Sequence, residues 1–569
     1  MSSYDIITFG IYALVLVFIG VWAFLKTKSS GDYFLANRRF GRVLMIAQAF
    51  GIGTNTNQPV TVAGASYTNG LAGIWYQWLW LFTTPFFWLI APIYRRLRYI
   101  TMADFFRERF GNKLGFYYTL FGFIYFCLNI GILLKGAGLT LEIILDGLIT
   151  ERQFILVTPV IFMVLGLVGG LIGTVYADLL QGLLMLGFTV FLTIAGIMAV
   201  GGFTGLHGHL PEQMFSLAAS QEVTIYFVIM AIINGLVGIV VLPHHMAIGG
   251  SGKSEIACRV GWTYGNLFKR FASIGWAFIG IVAAVRFTGL GIENREMTFG
   301  LMAKDLLPSG LLGLFVAVII SSVMSTFNGF MIHSSALLTR NIYKDYLHQA
   351  AKEARLLLVG RLSSIITVMI GMLFALSIDS VVDGLVQIWK LMAYIGLSFW
   401  FGILWKRTNR YGVWASTAVM ISLSVYAHYI LHWPLPQEIT LYLSAGVLTI
   451  IFISRFTPAE PESALKSFYT LLTTPVGQEH LLEAQGIEIK LKGVSESAGM
   501  DASQGKVSWL ATLLKLDNSD DESGLILVEL GKYPMNYRRF RTDILGFAVS
   551  VIIVVVVMLS MVVLAAIGG

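Results

Sequence analysis

The sequence predicts an all-α integral membrane protein with about fourteen transmembrane helices. Three observations lead to this prediction. The 569 residues are 56% hydrophobic and only 12% charged, whereas a soluble domain carries about twice that share of charge. Apolar stretches of about twenty residues, long enough to cross a bilayer, recur along the whole chain. Lysine and arginine fall mainly in the short segments between these stretches, as in multi-pass membrane proteins.

The apolar stretches and the basic segments between them together predict the topology. The stretches lie near residues 5–25, 42–65, 71–94, 115–145, 153–173, 178–202, 222–243, 265–288, 309–339, 357–378, 384–405, 411–432, 438–455 and 543–567. Every second connection is basic, at residues 26–42, 95–113, 253–270, 340–361 and 406–410. Because basic loops stay in the cytoplasm, both termini are expected on the extracytoplasmic side of the cell membrane. The net charge of +7 is therefore a topology signal and not a sign of nucleic-acid binding.

The predicted organisation has seven parts. They are a leading helix with a basic loop at 1–41, a first five-helix repeat at 42–202, an extracytoplasmic loop at 203–221, a second five-helix repeat at 222–405, two peripheral helices at 406–455, a cytoplasmic insert at 456–541 and a last helix at 542–569. The insert is polar and carries no kinase, nucleotide-binding or metal motif. It is either a loosely ordered regulatory tail or a folded regulatory module.

Two of the apolar stretches are poor continuous helices. Residues 50–59 contain two glycines, five consecutive hydrogen-bonding side chains and Pro59, which lacks a backbone donor. A similar interruption five helices later contains Asn234, Gly235, Pro243 and His244. Broken helices in corresponding positions of two repeats indicate an inverted-repeat transporter with its site near the membrane midplane. The alternative is that glycine and proline are simply common in membrane helices.

The ninth stretch carries a cluster of hydroxyl groups. Ser321, Ser322, Ser325 and Thr326 crowd one part of a helix that is otherwise apolar. Hydroxyl and carbonyl oxygens are the ligands that hard cations such as sodium prefer. The alternative is that these small polar residues allow close helix packing.

Five segments, each in its proper loop or helix, resemble motifs of the sodium:solute symporter family. They are DYFLANR at 32–38, YITMADFFRERFG at 99–111, YADLLQ at 176–181, TRNIYK at 339–344 and LWKRTNRYG at 404–412. The resemblance covers about residues 4–453. It implies the five-plus-five inverted-repeat fold also seen in the leucine transporter, with core helices 1 and 6 broken. Residues 242–244, Leu-Pro-His, are similar to the core helix 6 motif of the proline, acetate and pantothenate branch, although the arginine expected soon afterwards is missing.

The resemblance also implies a sodium site. In the family, two backbone carbonyls at the first break and the hydroxyls of core helix 8 hold one ion. The corresponding groups here are the carbonyls of Gly51 and Thr54 at the break, and on core helix 8 the carbonyl of Val318 and the hydroxyls of Ser321 and Ser322.

A second cation is less well supported by the same motifs. Asp178 and Ser325 match residues that hold a second sodium in some members, but Met324 replaces an expected serine. A carboxylate within a membrane is costly and indicates function. Asp178 has either a cation-related role or a structural hydrogen bond.

The solute would sit beside the first break. By position and polarity the candidates are Asn57, Gln58, Gln77, Trp80, Asn234, His244 and Gln387. Gln58 matches the sugar carriers of the family, whereas Gln77 stands where those carriers have an acidic residue.

Two intramembrane lysines, Lys135 and Lys390, are also candidates for contact with an anionic solute, because a buried charge needs a partner. The alternatives are that Lys135 pairs with another residue, that Lys390 reaches outward to the surface, or that a lysine replaces a cation permanently.

Taken together, these features predict a sodium-coupled symporter of a small organic solute, with a carboxylate or amino acid as the best guess. Sodium is the only expected cofactor. The functional unit is expected to be a monomer in lipid with no nucleic-acid partner. The alternatives are a sodium/sugar symporter, a sensor that keeps the transporter fold, and a proton-coupled carrier that uses Asp178 or His244. An enzyme is not predicted, because the chain has no nucleophile–base set, phosphate loop or metal-spaced His/Cys cluster.

Overall fold

A computed structural model describes residues 2–26, 41–51, 56–99, 101–166, 171–218, 222–487, 524–529 and 539–569. The regular elements in these ranges are helices, which confirms the all-α class. Eight of the described helices are long and apolar enough to cross a membrane. The broken segments form shorter helices, so the count of fourteen spans stays a prediction.

In the first part of the chain, the described residues form nine α-helices and one 3₁₀ turn at Gly70–Ile74. The helices are α1 (Ser3–Lys26), α2 (Arg42–Gly51), α3 (Asn57–Asn69), α4 (Trp75–Trp78), α5 (Thr84–Leu97), α6 (Met102–Phe110), α7 (Asn112–Ile144), α8 (Glu151–Gly166) and α9 (Leu171–Ala199).

The second part begins with a short helix and ends with the helix that follows the insert. Its helices are α10 (Gly202–His209), α11 (Ile225–Ile239), α12 (His245–Gly249), α13 (Glu255–Arg286), α14 (Thr298–Leu306), α15 (Leu311–Leu338), α16 (Glu353–Ser377), α17 (Val381–Leu404), α18 (Arg410–Tyr429), α19 (Leu435–Phe456), α20 (Glu462–Thr473), α21 (Glu479–Glu483), α22 (Ile526–Glu529) and α23 (Arg541–Ala566). Two 3₁₀ turns and a π-helical turn, at Glu212–Phe215, Ile292–Met297 and Thr339–Leu347, complete the described elements.

Both predicted helix breaks lie where one helix ends and another begins. α2 ends at Gly51 and α3 begins at Asn57, with residues 52–55 outside the described part. α11 ends at Ile239 and α12 begins at His245, with a turn between them. The chain therefore has the two interrupted helices that the inverted-repeat fold requires.

The predicted basic loop at 253–270 is wrong. Ser254 caps the N-terminus of α13 by accepting a hydrogen bond from the backbone amide of Ala257 at 3.2 Å, and the helix then continues to Arg286. The charged residues in the first two turns of α13 have partners on other helices. Glu255 pairs with Arg96, and Arg259 pairs with Asp543. A segment that looks hydrophilic in sequence is thus buried in the helical core.

Glycines on α13 bring this helix against both halves of the first broken helix. A Cβ on Gly265 would lie 2.8 Å from the Ala49 Cβ of α2, and a Cβ on Gly280 would lie 2.4 Å from the Ala63 carbonyl oxygen of α3. Only a residue without a side chain permits such close helix approach. The stretch of α13 between these two glycines is therefore level with the break.

The first part of the insert is folded against the helical core. The Tyr469 hydroxyl of α20 donates to the carbonyl oxygen of Gly402 at 2.9 Å. The carboxylate of Glu479 accepts two hydrogen bonds from Arg98, at 3.0 and 2.9 Å. Residues 488–523 and 530–538 of the insert lie outside the described part.

Candidate sodium and solute site

The predicted cation residues converge from three helices. Gly51 is the last residue of α2, and a Cβ placed on it would lie 2.5 Å from the Cβ of Asp178 on α9. The hydroxyl of Ser325 on α15 donates to the Asp178 carboxylate. All three residues are buried. The end of α2, an intramembrane carboxylate and the hydroxyl cluster of α15 therefore meet at one place.

The other predicted sodium ligands lie one turn away on α15. Ser321 and Ser322 are 3% and 5% exposed. The Ser321 hydroxyl donates to the carbonyl oxygen of Val318 at 3.1 Å. The phenol of Tyr12, a residue that the sequence motifs do not single out, lies 3.1 Å from the same Ser321 hydroxyl. Thr54 lies outside the described residues.

Two of the predicted solute residues flank different parts of α7. Asn57 lies against Gly136, where an added Cβ would be 3.3 Å from the Asn57 Cα. The ring of His244 lies 5.9 Å from that of Tyr125, centre to centre. The two contacts are eleven residues apart on α7, which is about 16 Å along the helix axis at roughly 1.5 Å per residue. A small solute beside the break at Asn57 would therefore not also contact His244.

Several polar atoms near the two breaks are buried without a hydrogen-bond partner among the described residues. They include Thr56 Oγ1, Asn57 Oδ1, His244 Nδ1 and Asn328 Oδ1. Such atoms are rare in folded proteins because leaving them unpaired costs about 1–3 kcal/mol each. They are therefore candidates for contact with a bound solute. Gln58, half-buried next to Asn57, begins the same helix.

Other predicted solute residues already have protein partners. The Asn234 amide donates to the Trp389 carbonyl at 3.1 Å and accepts from the Tyr442 hydroxyl at 2.7 Å. Gln77 accepts from Arg270 at 3.2 Å through its side-chain oxygen.

Trp80 and Gln387 complete the predicted set. The Trp80 ring packs against Gly235 of α11, and Gln387 is exposed on α17. The structure thus separates Asn57 from His244 and places Trp80 beside the neighbour of Asn234, and a solute contact for each of these residues stays a prediction.

Both predicted lysines form ion pairs. Lys135 Nζ lies 3.1 Å from a carboxylate oxygen of Glu151, so the alternative of pairing with another residue holds for Lys135. Lys390 Nζ lies 2.5 Å from Glu438, and both residues are less than 5% exposed. His428 Nδ1 is 2.8 Å from the second oxygen of Glu438. Lys390 therefore points to α19 and not to the surface, and a solute contact for either lysine stays a prediction.

The sequence interpretation missed two buried cations. Lys269 and Arg270 lie in the middle of α13, level with the first break, and each is 5% exposed. Lys269 donates to Asn266 at 3.3 Å, and Arg270 donates to Gln77. Within the described ranges, neither forms an ion pair with a carboxylate. The sequence feature that could have revealed them is an adjacent Lys-Arg pair inside the apolar stretch 265–288, which the sequence interpretation assigned to the basic loop at 253–270.

Known proteins resemble this chain in both sequence and fold. A sequence model described as the sodium:solute symporter family matches residues 33–420. The osmoregulated proline transporter OpuE of Bacillus subtilis is 25% identical over 459 residues, which are 75% of this chain and 92% of that protein. The sodium/glucose cotransporter 2 of Rattus norvegicus is 24% identical over 407 residues, 63% of this chain and 60% of the rat protein.

A solved structure agrees with the helical arrangement. The substrate-bound outward-open state of a Na⁺-coupled sialic acid symporter superposes with a TM-score of 0.68 at 18% identity, covering 81% of this chain and 99% of that one. These relatives are transporters and not enzymes. The family model spans well over half of the sequence, and the chain therefore belongs to the sodium:solute symporter family.

Proposed function

We propose that this protein is a sodium-coupled symporter that carries a small carboxylate-bearing solute, such as an amino acid, across the cell membrane by alternating access. The meeting of Gly51, Asp178 and Ser325 at the end of a broken membrane helix is the observation that carries the proposal. A helix end, a buried carboxylate and clustered hydroxyls supply the oxygen ligands and the negative charge that a hard cation requires.

In this proposal one sodium ion links α2 to α15. The carbonyl oxygens of Gly51, Thr54 and Val318 and the hydroxyls of Ser321 and Ser322 would hold it. The negative charge of Asp178, close to Gly51, favours a cation there without requiring a second ion. Coupling follows if the ion binds one state of the transporter more tightly than the other, because a ligand shifts an equilibrium only by its differential affinity.

The charge of the surroundings favours a carboxylate over a neutral sugar. Lys269 and Arg270 are buried level with the break, and no described acidic side chain pairs with either. A buried charge in a membrane protein normally has a counter-charge. A solute carboxylate would supply it, and the unpaired polar atoms of Thr56 and Asn57 would bind the remaining polar groups.

A thermal-shift screen of the purified full-length protein tests both parts of the proposal. The probes are L-proline, acetate, pantothenate and glucose, each in sodium chloride and in choline chloride. A carboxylate is expected to raise the melting temperature only when sodium is present. Stabilisation by glucose alone would overturn the carboxylate assignment but not the sodium coupling, and equal stabilisation in choline would overturn the coupling.

The two buried cations can then be tested with the stabilising carboxylate. Replacing Lys269 with Met removes one ammonium group and is expected to weaken binding of that carboxylate about tenfold or more, the effect of a lost charge-assisted hydrogen bond. Lys304→Met is the matched control, because Lys304 is more than one-third exposed and pairs with Asp146. Unchanged binding by Lys269→Met would contradict a role for this lysine.

A further inference from the structure

The leading helix α1 is fastened along α15, the helix that carries the proposed sodium ligands. One carboxylate oxygen of Asp5 accepts hydrogen bonds from the backbone amides of Gly310 at 2.7 Å and Gly313 at 2.9 Å. The Thr8 hydroxyl donates to the Gly310 carbonyl at 2.7 Å. Asp5 therefore caps the start of α15 and fixes the register of the two helices.

Tyr12 is a second buried residue of α1, a helix on which many of the described apolar side chains are exposed. The side chains of α1 that face outward include Ile7, Ile11 and Leu14, which are 55%, 57% and 71% exposed. Tyr12 is only 5% exposed. A tyrosine hydroxyl buried in this way normally finds a hydrogen-bond partner.

The partner is the hydroxyl of Ser321, 3.1 Å away. The two contacts agree in register: Asp5 to Tyr12 and Gly313 to Ser321 both cover about two helical turns. Helices α1 and α15 therefore run side by side from the Asp5 cap to the Ser321 hydroxyl.

The chemistry of Ser321 determines which atom donates. The Val318 carbonyl, 3.1 Å from the Ser321 hydroxyl, can only accept, and we assign the single hydroxyl proton of Ser321 to it. The Tyr12 phenol is then the donor in the pair. A serine oxygen has two lone pairs, so one accepts from Tyr12 and the other is left for a cation.

We propose that Tyr12 is a positioning residue of the sodium site, an inference that rests on the proposed sodium symport. Its hydrogen bond holds Ser321 in one of the three staggered rotamers open to a serine and directs the second lone pair towards the ion. The leading helix, which lies outside the two five-helix repeats, thereby contributes to sodium affinity. The ligands themselves are still those on α2 and α15.

Sodium titration of the full-length protein tests this role without any solute. The midpoint of thermal stabilisation is measured against sodium chloride, with choline chloride keeping the ionic strength constant. Tyr12→Phe removes the hydroxyl and keeps the ring. The midpoint is expected to rise about three- to tenfold, the range for one lost hydrogen bond. Tyr4→Phe, at a 70% exposed position on the same helix, is expected to leave the midpoint unchanged.

A double variant separates positioning from packing. If Tyr12 acts through Ser321, then Tyr12→Phe should change the sodium midpoint less than about twofold in a Ser321→Ala background. A lower melting temperature in choline with an unchanged sodium midpoint would show a purely structural role and overturn the inference. No stabilisation of the wild-type protein by sodium would overturn the proposed symport as well, so the two failures are distinguishable.

Discussion

The cation region and the solute region of this protein differ in how far their residues converge. In the cation region, Gly51, Asp178 and Ser325 come from three helices and meet. In the solute region, Asn57 and His244 contact distant parts of α7. The difference shows that a small ion needs only a few oxygen atoms, and that short sequence patterns reveal the residues that provide them. A solute pocket depends on which polar groups stay unpaired after the helices have packed.

The Lys390–Glu438 pair gives the largest expected effect and tests whether this part of the solute region is structural. Lys390→Met would remove the ammonium partner of Glu438 and leave only the imidazole of His428 beside this buried carboxylate, and breaking a buried ion pair costs about 3–5 kcal/mol. A large loss of thermal stability in detergent is expected, and Lys390→Met/Glu438→Leu should recover most of it. If Lys390 binds the solute, both variants would instead share a raised KM.

A methyl group added at Gly51 should disrupt the cation region by steric overlap alone. Gly51→Ala would place a Cβ 2.5 Å from the Asp178 Cβ, so α2 and α9 must separate. Overpacking lowers the free energy of unfolding by about 1–3 kcal/mol, and the shift of α2 is expected to displace the Gly51 carbonyl and raise the sodium midpoint. Gly187→Ala is the control on α9, because no heavy atom lies within 4 Å of a Cβ placed there. An unchanged midpoint for Gly51→Ala would contradict the proposed site.

The hydrogen bonds of Asn234 provide a smaller test of the solute region. Tyr442→Phe removes the donor to the Asn234 side chain and is expected to lower the free energy of unfolding by about 1 kcal/mol. Solute KM is expected to stay unchanged, because both polar atoms of the Asn234 side chain already have protein partners. Tyr429→Phe, at a 65% exposed position, controls for the loss of a hydroxyl. If Tyr442→Phe raises the solute KM and leaves the free energy of unfolding unchanged, Asn234 would instead belong to the solute site.

The sequence predicted the all-α class and the two helix breaks, because both depend on local composition. Glycine, proline and hydroxyl residues at 50–59 mark the first break, and α2 and α3 end and begin within that stretch. The hydroxyl pattern on α15 likewise predicted Ser325, whose hydroxyl donates to the Asp178 carboxylate.

The other features of the fold and the site could not be predicted from local sequence, because they depend on contacts between residues that are distant in the chain. The early turns of α13 looked like a loop because Glu255 and Arg259 are charged, although Arg96 and Asp543 neutralise them in the fold. Likewise, the residues around Lys390 in the sequence do not show that Glu438 is its counter-ion. The contact of Tyr12 with Ser321 joins residues about three hundred positions apart, and only the arrangement of the helices shows it.

Binding of radiolabelled sodium to the purified protein tests the central claim most directly. Wild-type protein should bind sodium saturably, and Ser321→Ala/Ser322→Ala should weaken that binding about tenfold or more, as expected for ligands to a charged group. Ser335→Ala, a serine on the same helix that donates to the Gly360 carbonyl, should bind like the wild type. Equal sodium affinity of the double variant and the wild type would contradict a site between the α2 break and α15.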